Sequence, residues 1–185
     1  MTGFTFAQQK LKGSKWLLRL FMLFISCIVL SYIQIIHVCI TFCDLKTRYF
    51  EKQFELAYAT KLPMFLHMRA AAEDFCEILK RNKDSFSAGV THSFTDNAED
   101  RDKLLSFSIM YIGINGCSLK TSENLDVVRG IPIERMMIET DSPYCEIKNT
   151  HAGITYVKST WPSRKKEKYD PECIVKGRNE PCLVR

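Results

Sequence analysis

Two histidines, an asparagine and an aspartate close four short apolar runs. His67 follows Pro63-Met64-Phe65-Leu66, His92 follows Gly89-Val90-Thr91, Asn115 follows Tyr111-Ile112-Gly113-Ile114, and Asp141 follows Met136-Met137-Ile138-Glu139-Thr140. Neutral imidazoles beside carboxylates are a recurring way to hold Zn²⁺, Mn²⁺ or Mg²⁺. Asp141 suits a metal ligand, a general base toward water, or both. Each residue also has a plainer alternative. A lone strand-end histidine is commonly a hydrogen-bonded structural residue, and Asp141 ahead of Pro143 has the type of a cap or turn carboxylate. The second histidine, one apolar run further on, turns the pattern toward metal chemistry.

Such a set works only if the chain brings the four ends together. Their spacing is 25, 23 and 26 residues, one strand plus one helix plus two loops each time. That is the rhythm of consecutive βα units, in which the carboxyl ends of parallel strands converge on the site. Strands are expected near 63–66, 88–92, 110–114 and 136–140. Helices are expected between them. Phe50, Phe54 and Ala57 form one stripe of the first, and Phe75, Ile78 and Leu79 are buried by a helix over Ala70–Asn82. A third helix begins near Asp96, with Glu99 completing an approximate capping box. A fourth starts at Thr121 or Ser122 and stops at Gly130, with Pro132 beyond.

The chain has 185 residues, enough for one sizeable core but fewer than the roughly 250 of a complete (β/α)8 barrel. Its net charge of +5 permits a nucleic-acid partner without requiring one. Much of the excess lies in Lys158, Arg164, Lys165, Lys166, Lys168, Lys176 and Arg178, which reads as a solvated, flexible surface loop. Eight cysteines occur without a CxxC pair. This excludes the spacing of a structural zinc site and favours free thiols in a reducing compartment over a secreted disulfide framework.

Leu20 to Ile40 is a run of 21 residues without a charge, preceded by Lys10, Lys12, Lys15 and Arg19. By length it is a transmembrane candidate, a signal anchor with a cytoplasmic amino terminus. A buried core helix and an alternative-exon or gene-model origin are the competing readings. Trp16 to Phe42 is expected to form one long helix, so residues 1–43 are set apart from 44–185.

The segments KLPMFLHMR, GVTHSF, YIGINGCSLKT, RMMIETDSPY and RNEP occur in that order. Together they resemble successive motifs of the TatD family of metal-dependent deoxyribonucleases, over about Asp44 to Pro181. The resemblance implies an α/β fold, a partial TIM-type (β/α)8 barrel comprising about strands 5–8. It implies hydrolysis of DNA phosphodiesters, typically as an exonuclease, by metal-activated water. His67, His92 and Asp141 are the implied ligands for Mg, Mn or Zn, with Asp141 also the catalytic base. Arg69 and Tyr144 are the implied substrate contacts, and Asn179-Glu180-Pro181 opens the family's closing helix. DNA is the implied partner, with no obligate protein partner evident, and the location is nucleus or cytoplasm, or a membrane if Leu20–Ile40 is used as an anchor. The family's amino-terminal HxH or HxD pair and its bridging Glu are absent: His37 is the only histidine before His67. The binuclear site that the resemblance implies is therefore incomplete in these residues, and a catalytically impaired truncated or membrane-anchored isoform is the alternative function.

Overall fold

A computed structural model describes residues 41–184, with side chains described from Lys46 onward. The apolar run at Leu20–Ile40, His37 and most of the Trp16–Phe42 helix expectation lie outside the described residues. Among the described residues, no helix is long and apolar enough to cross a membrane.

The elements follow the predicted alternation: α1 (Thr41–Thr60), β1 (Met64–His67), α2 (Ala72–Arg81), β2 (Gly89–His92), α3 (Ala98–Leu105), β3 (Met110–Ile114), α4 (Ser122–Arg129) and β4 (Met136–Ile138). The four strands form one sheet in sequence order, β1-β2-β3-β4. The β3–β4 pairing is parallel, with Ile112 opposite Met136 and Ile114 opposite Ile138. This is an α/β fold with a parallel sheet, as expected.

Two compact units divide the chain. In the first, which takes in residues up to 65 and 77–89, α1 buries Phe54 and Ala57. Phe54 meets Phe50 and Phe86 edge to face, each at a centroid distance of 5.3 Å. Such pairs add to plain area burial. Lys61 ends the helix in the left-handed region at φ 56. Phe54 is fully buried, so Phe54→Ala is expected to cost about 3–5 kcal/mol. Urea unfolding would check this; a loss below about 1 kcal/mol would contradict the packing described.

The second unit holds residues 66–76 and 90–185. β3 is its apolar centre: Met110 and Ile112 are fully buried, and Leu104 and Val127 add apolar side chains from α3 and α4. α4 is capped as predicted, with Thr121 accepting from the Asn124 amide and Gly130 at the carboxyl end. The α3 cap falls one residue later than predicted. Asn97, not Asp96, accepts from the Asp100 amide, which leaves Asp96 for another role.

Two further differences concern the segment after Asp141. The basic stretch is not merely a loop: β5 (Ser163–Arg164) and β6 (Ile174–Val175) pair in parallel as a short ribbon. Asn179-Glu180-Pro181 opens a single 3₁₀ turn, Pro181–Leu183.

Candidate active site

β1 and β2 deliver His67 and His92 to the same edge of the sheet, with ring centroids 5.7 Å apart. β4 ends at Ile138, two residues earlier than predicted, and the chain then folds over the strand ends. This early ending brings Asp141 back to the histidines: His92 Nε2 lies 3.6 Å from Asp141 Oδ1. The expected triplet therefore gathers on one edge. Among the described residues, no group of three or more His, Cys, Asp or Glu is placed so that it could hold a metal ion with the side chains as they stand.

Backbone strain marks the same edge. Ala70, Ser93 and Asp141 all have left-handed φ, at 49, 53 and 54. Non-glycine residues in this region cost free energy and persist only where surrounding structure holds them. Ser93 shows what the strain achieves, because its amide turns to donate to Glu139 Oε1 at 2.6 Å.

Glu139 was predicted as a strand residue and not as a site residue. Its Oε2 is 2.9 Å from His92 Nδ1, and its Oε1 accepts from the Ser93 amide and, at 3.4 Å, from Asn115 Nδ2. Asn115 also donates to Ser93 Oγ at 2.9 Å. Gly113 makes room for this carboxylate, since a Cβ there would stand 3.0 Å from Glu139 Oε2. A carboxylate on Nδ1 fixes the imidazole so that Nε2 is presented to the Asp141 side. The available sequence signal was the i, i+2 pair Glu139/Asp141, whose spacing places both acids on one side of an extended chain.

The loop after Asp141 is held closely. Gly116 is required beneath it, because a Cβ would collide with the Cys145 carbonyl oxygen at 2.0 Å. Asn179 Nδ2 donates to the Thr140 carbonyl at 2.7 Å, and the Asn179 amide donates to the Pro143 carbonyl. The Cys145 thiol donates to Asp141 Oδ2 at 3.3 Å and lies 2.8 Å from Cys117 Sγ. Burial, then these two neighbours, push the Cys145 thiol well up, so it stays protonated against Asp141. Arg69 and Tyr144, the predicted substrate contacts, are both exposed at this edge, and the Tyr144 amide donates to the Asp141 carbonyl. Asp96 receives the Ala70 amide, while burial, the largest influence, holds its carboxyl above the ordinary range.

The two imidazoles are driven in opposite directions. Partial desolvation at the strand end lowers His67, which stays open to solvent on one side, and the positive charges of His92 and Arg69 lower it further. Burial also works against a charged His92, but its hydrogen bond to Glu139 and the charges of Glu139 and Asp141 outweigh it, and the net shift is upward. In chelator-treated protein, an NMR titration is expected to place the His92 midpoint above 6.5 and that of His67 below it. The stability contributed by His92 is then present in full below pH 6.5 and is lost as pH rises through its folded midpoint. Metal affinity moves the other way, rising with pH as His92 loses its proton. Coincident midpoints would contradict the Glu139 assignment.

A family model described as TatD related DNase matches residues 36–182. The chain is 45% identical over 142 residues to Deoxyribonuclease Tat-D of Schizosaccharomyces pombe, covering 75% of this chain and 45% of the relative. It is 38% identical to Deoxyribonuclease Tat-D of Saccharomyces cerevisiae, covering 75% of this chain and 44% of that protein. In three dimensions it is similar to the crystal structure of an uncharacterized amidohydrolase from Saccharomyces cerevisiae. There the TM-score is 0.69 at 36% identity, over 77% of this chain and 52% of that one. The chain thus spans about half the length of the curated relatives it matches.

Proposed function

We infer a function from one premise: this chain belongs to the TatD related DNase family. The reading is that it carries the carboxyl-terminal side of a metal-dependent phosphodiesterase site acting on DNA, built on the last four βα units of a (β/α)8 barrel. The observation that carries it is the convergence of His67, His92 and Asp141 on one sheet edge.

The donor chemistry fits a divalent ion. The surroundings of His67 favour its neutral form, and His92 has its Nδ1 on Glu139 and its Nε2 on the Asp141 side, so both present imidazole nitrogens at this edge. His67, His92 and Asp141 are the residues that would hold the ion. A bound ion would offset negative charge on the phosphate and make a water easier to deprotonate. Asp141 is the carboxylate that would take a proton from water at this edge, with one oxygen toward His92 and the other receiving the Cys145 thiol. Arg69 brings a cation to the phosphate, and Tyr144 offers an exposed ring to a base.

A second reading, a chain that binds the ion but is catalytically impaired, is favoured by one observation. The 185 residues contain no HxH or HxD pair. Calorimetric titration with Mn²⁺ or Zn²⁺ tests what the two readings share. Binding should be lost in His92→Ala and Asp141→Ala, and unchanged binding in both would sink the site assignment.

A further inference from the structure

The basic stretch beyond the site has more order and more direction than a solvated loop needs. Residues 158–178 contain seven Lys and Arg against three Asp and Glu, so most of the net charge of +5 is concentrated there. The ribbon register sets Arg164 beside Val175, and the Lys176 amide donates to the Arg164 carbonyl at 2.8 Å. Lys165 and Lys176 therefore follow as the next pair along two adjacent segments. Among the described residues, acidic partners take Arg164, Lys166 and Arg178, and Lys165 and Lys176 have no ion pair.

Two exposed aromatic residues belong to the same stretch. Trp161 precedes β5 and is 49% exposed, and Tyr169, between the strands, is 71% exposed. The far end of the ribbon is anchored at the site. After the turn at Gly177, Asn179 bonds to the Thr140 and Pro143 carbonyls on either side of Asp141.

We propose that this ribbon is a track for single-stranded nucleic acid that leads toward Asp141. Lys165 and Lys176 contact phosphates, and Trp161 and Tyr169 stack on unpaired bases. Positive charge alone would suit a duplex or an anionic membrane equally well. Exposed ring faces favour single strands, whose bases are free to stack. Continuity with the Asp141 loop favours a phosphodiester chain over a lipid surface. The direction of the track rests on the hydrolase reading above; the binding does not.

The test is fluorescence anisotropy of a labelled twelve-nucleotide oligothymidylate with the 185-residue chain in EDTA, across a salt series. Circular dichroism would confirm that each variant is folded. K165E/K176E is expected to weaken binding about tenfold or more and to flatten the salt dependence, because fewer counterions are released. W161A/Y169A is expected to weaken it about tenfold with the salt slope unchanged. Wild-type affinity in both folded variants would overturn the proposal. So would loss of binding to phosphatidylserine vesicles with oligonucleotide binding intact. Mn²⁺ titration of the same variants separates the two readings. Intact metal binding with lost oligonucleotide binding supports the track, and lost metal binding in the His92 and Asp141 variants bears only on the site.

Discussion

Purified as 185 residues and supplied with Mg²⁺, Mn²⁺ or Zn²⁺, the chain is expected to degrade single-stranded and duplex DNA no faster than its own His92→Ala variant. The expectation comes from counting donors. In the proposed site His67, His92 and Asp141 are one set, and the 185 residues contain no HxH or HxD pair to supply the amino-terminal set of the family. Hydrolysis of a phosphodiester needs charge offset at both the attacking and the leaving oxygen, and a two-metal arrangement provides both. A site holding one ion loses part of that stabilisation and part of the activation of water. Each effect is typically worth several kcal/mol, and about 1.4 kcal/mol is a tenfold change in rate. Two such losses bring a phosphodiesterase to background. Robust metal-dependent cleavage abolished by His92→Ala would show instead that three ligands suffice. Measuring a family member with the complete donor set in the same assay fixes the scale.

The parts of this site that were legible in the sequence are those set by periodicity. β3 falls at Met110–Ile114 as predicted, because four apolar residues and a glycine in succession leave no other buried element of that length. His67 and His92 could be placed because each follows such a run directly. The end of β4 was not legible. Met136 to Thr140 looks like one continuous strand, yet the ladder closes at Ile138, opposite Ile114 where β3 ends; the Glu139 amide makes the last bond, to the Ile114 carbonyl, and the Glu139 carboxylate turns to His92 and Ser93. The place of that carboxylate is set by partners 46 and 47 residues away, which no local pattern records. The α3 cap misleads for a similar reason. Asp96 and Asn97 are both good caps, and Asp96 is taken by the Ala70 amide. The ribbon was invisible because two-residue strands carry no alternation.

Glu139→Gln is expected to weaken binding of Mn²⁺ or Zn²⁺ by about 10–100-fold while leaving the fold intact, the usual consequence of losing the carboxylate behind a ligating histidine. Glutamine keeps the size but not the chemistry. The native carboxylate faces donors on both arms: His92 Nδ1 on Oε2, and the Ser93 amide and Asn115 Nδ2 on Oε1. A carboxamide has one accepting oxygen and one donating NH₂, so one arm must oppose donor to donor. If the oxygen stays with Ser93, His92 loses its Nδ1 partner and with it the fixed tautomer. If it stays with His92, the strained Ser93 amide at φ 53 is left facing a donor, and the turn after β2 loosens. Either result disturbs Nε2 as presented to Asp141. Two measurements separate this from general damage. Calorimetric titration reads the affinity, and NMR of chelator-treated protein reads His92, whose midpoint should fall once the Glu139 hydrogen bond and charge no longer offset burial. An unchanged His92 midpoint with affinity within twofold of wild type would show that Glu139 braces the loop and does not position the ligand.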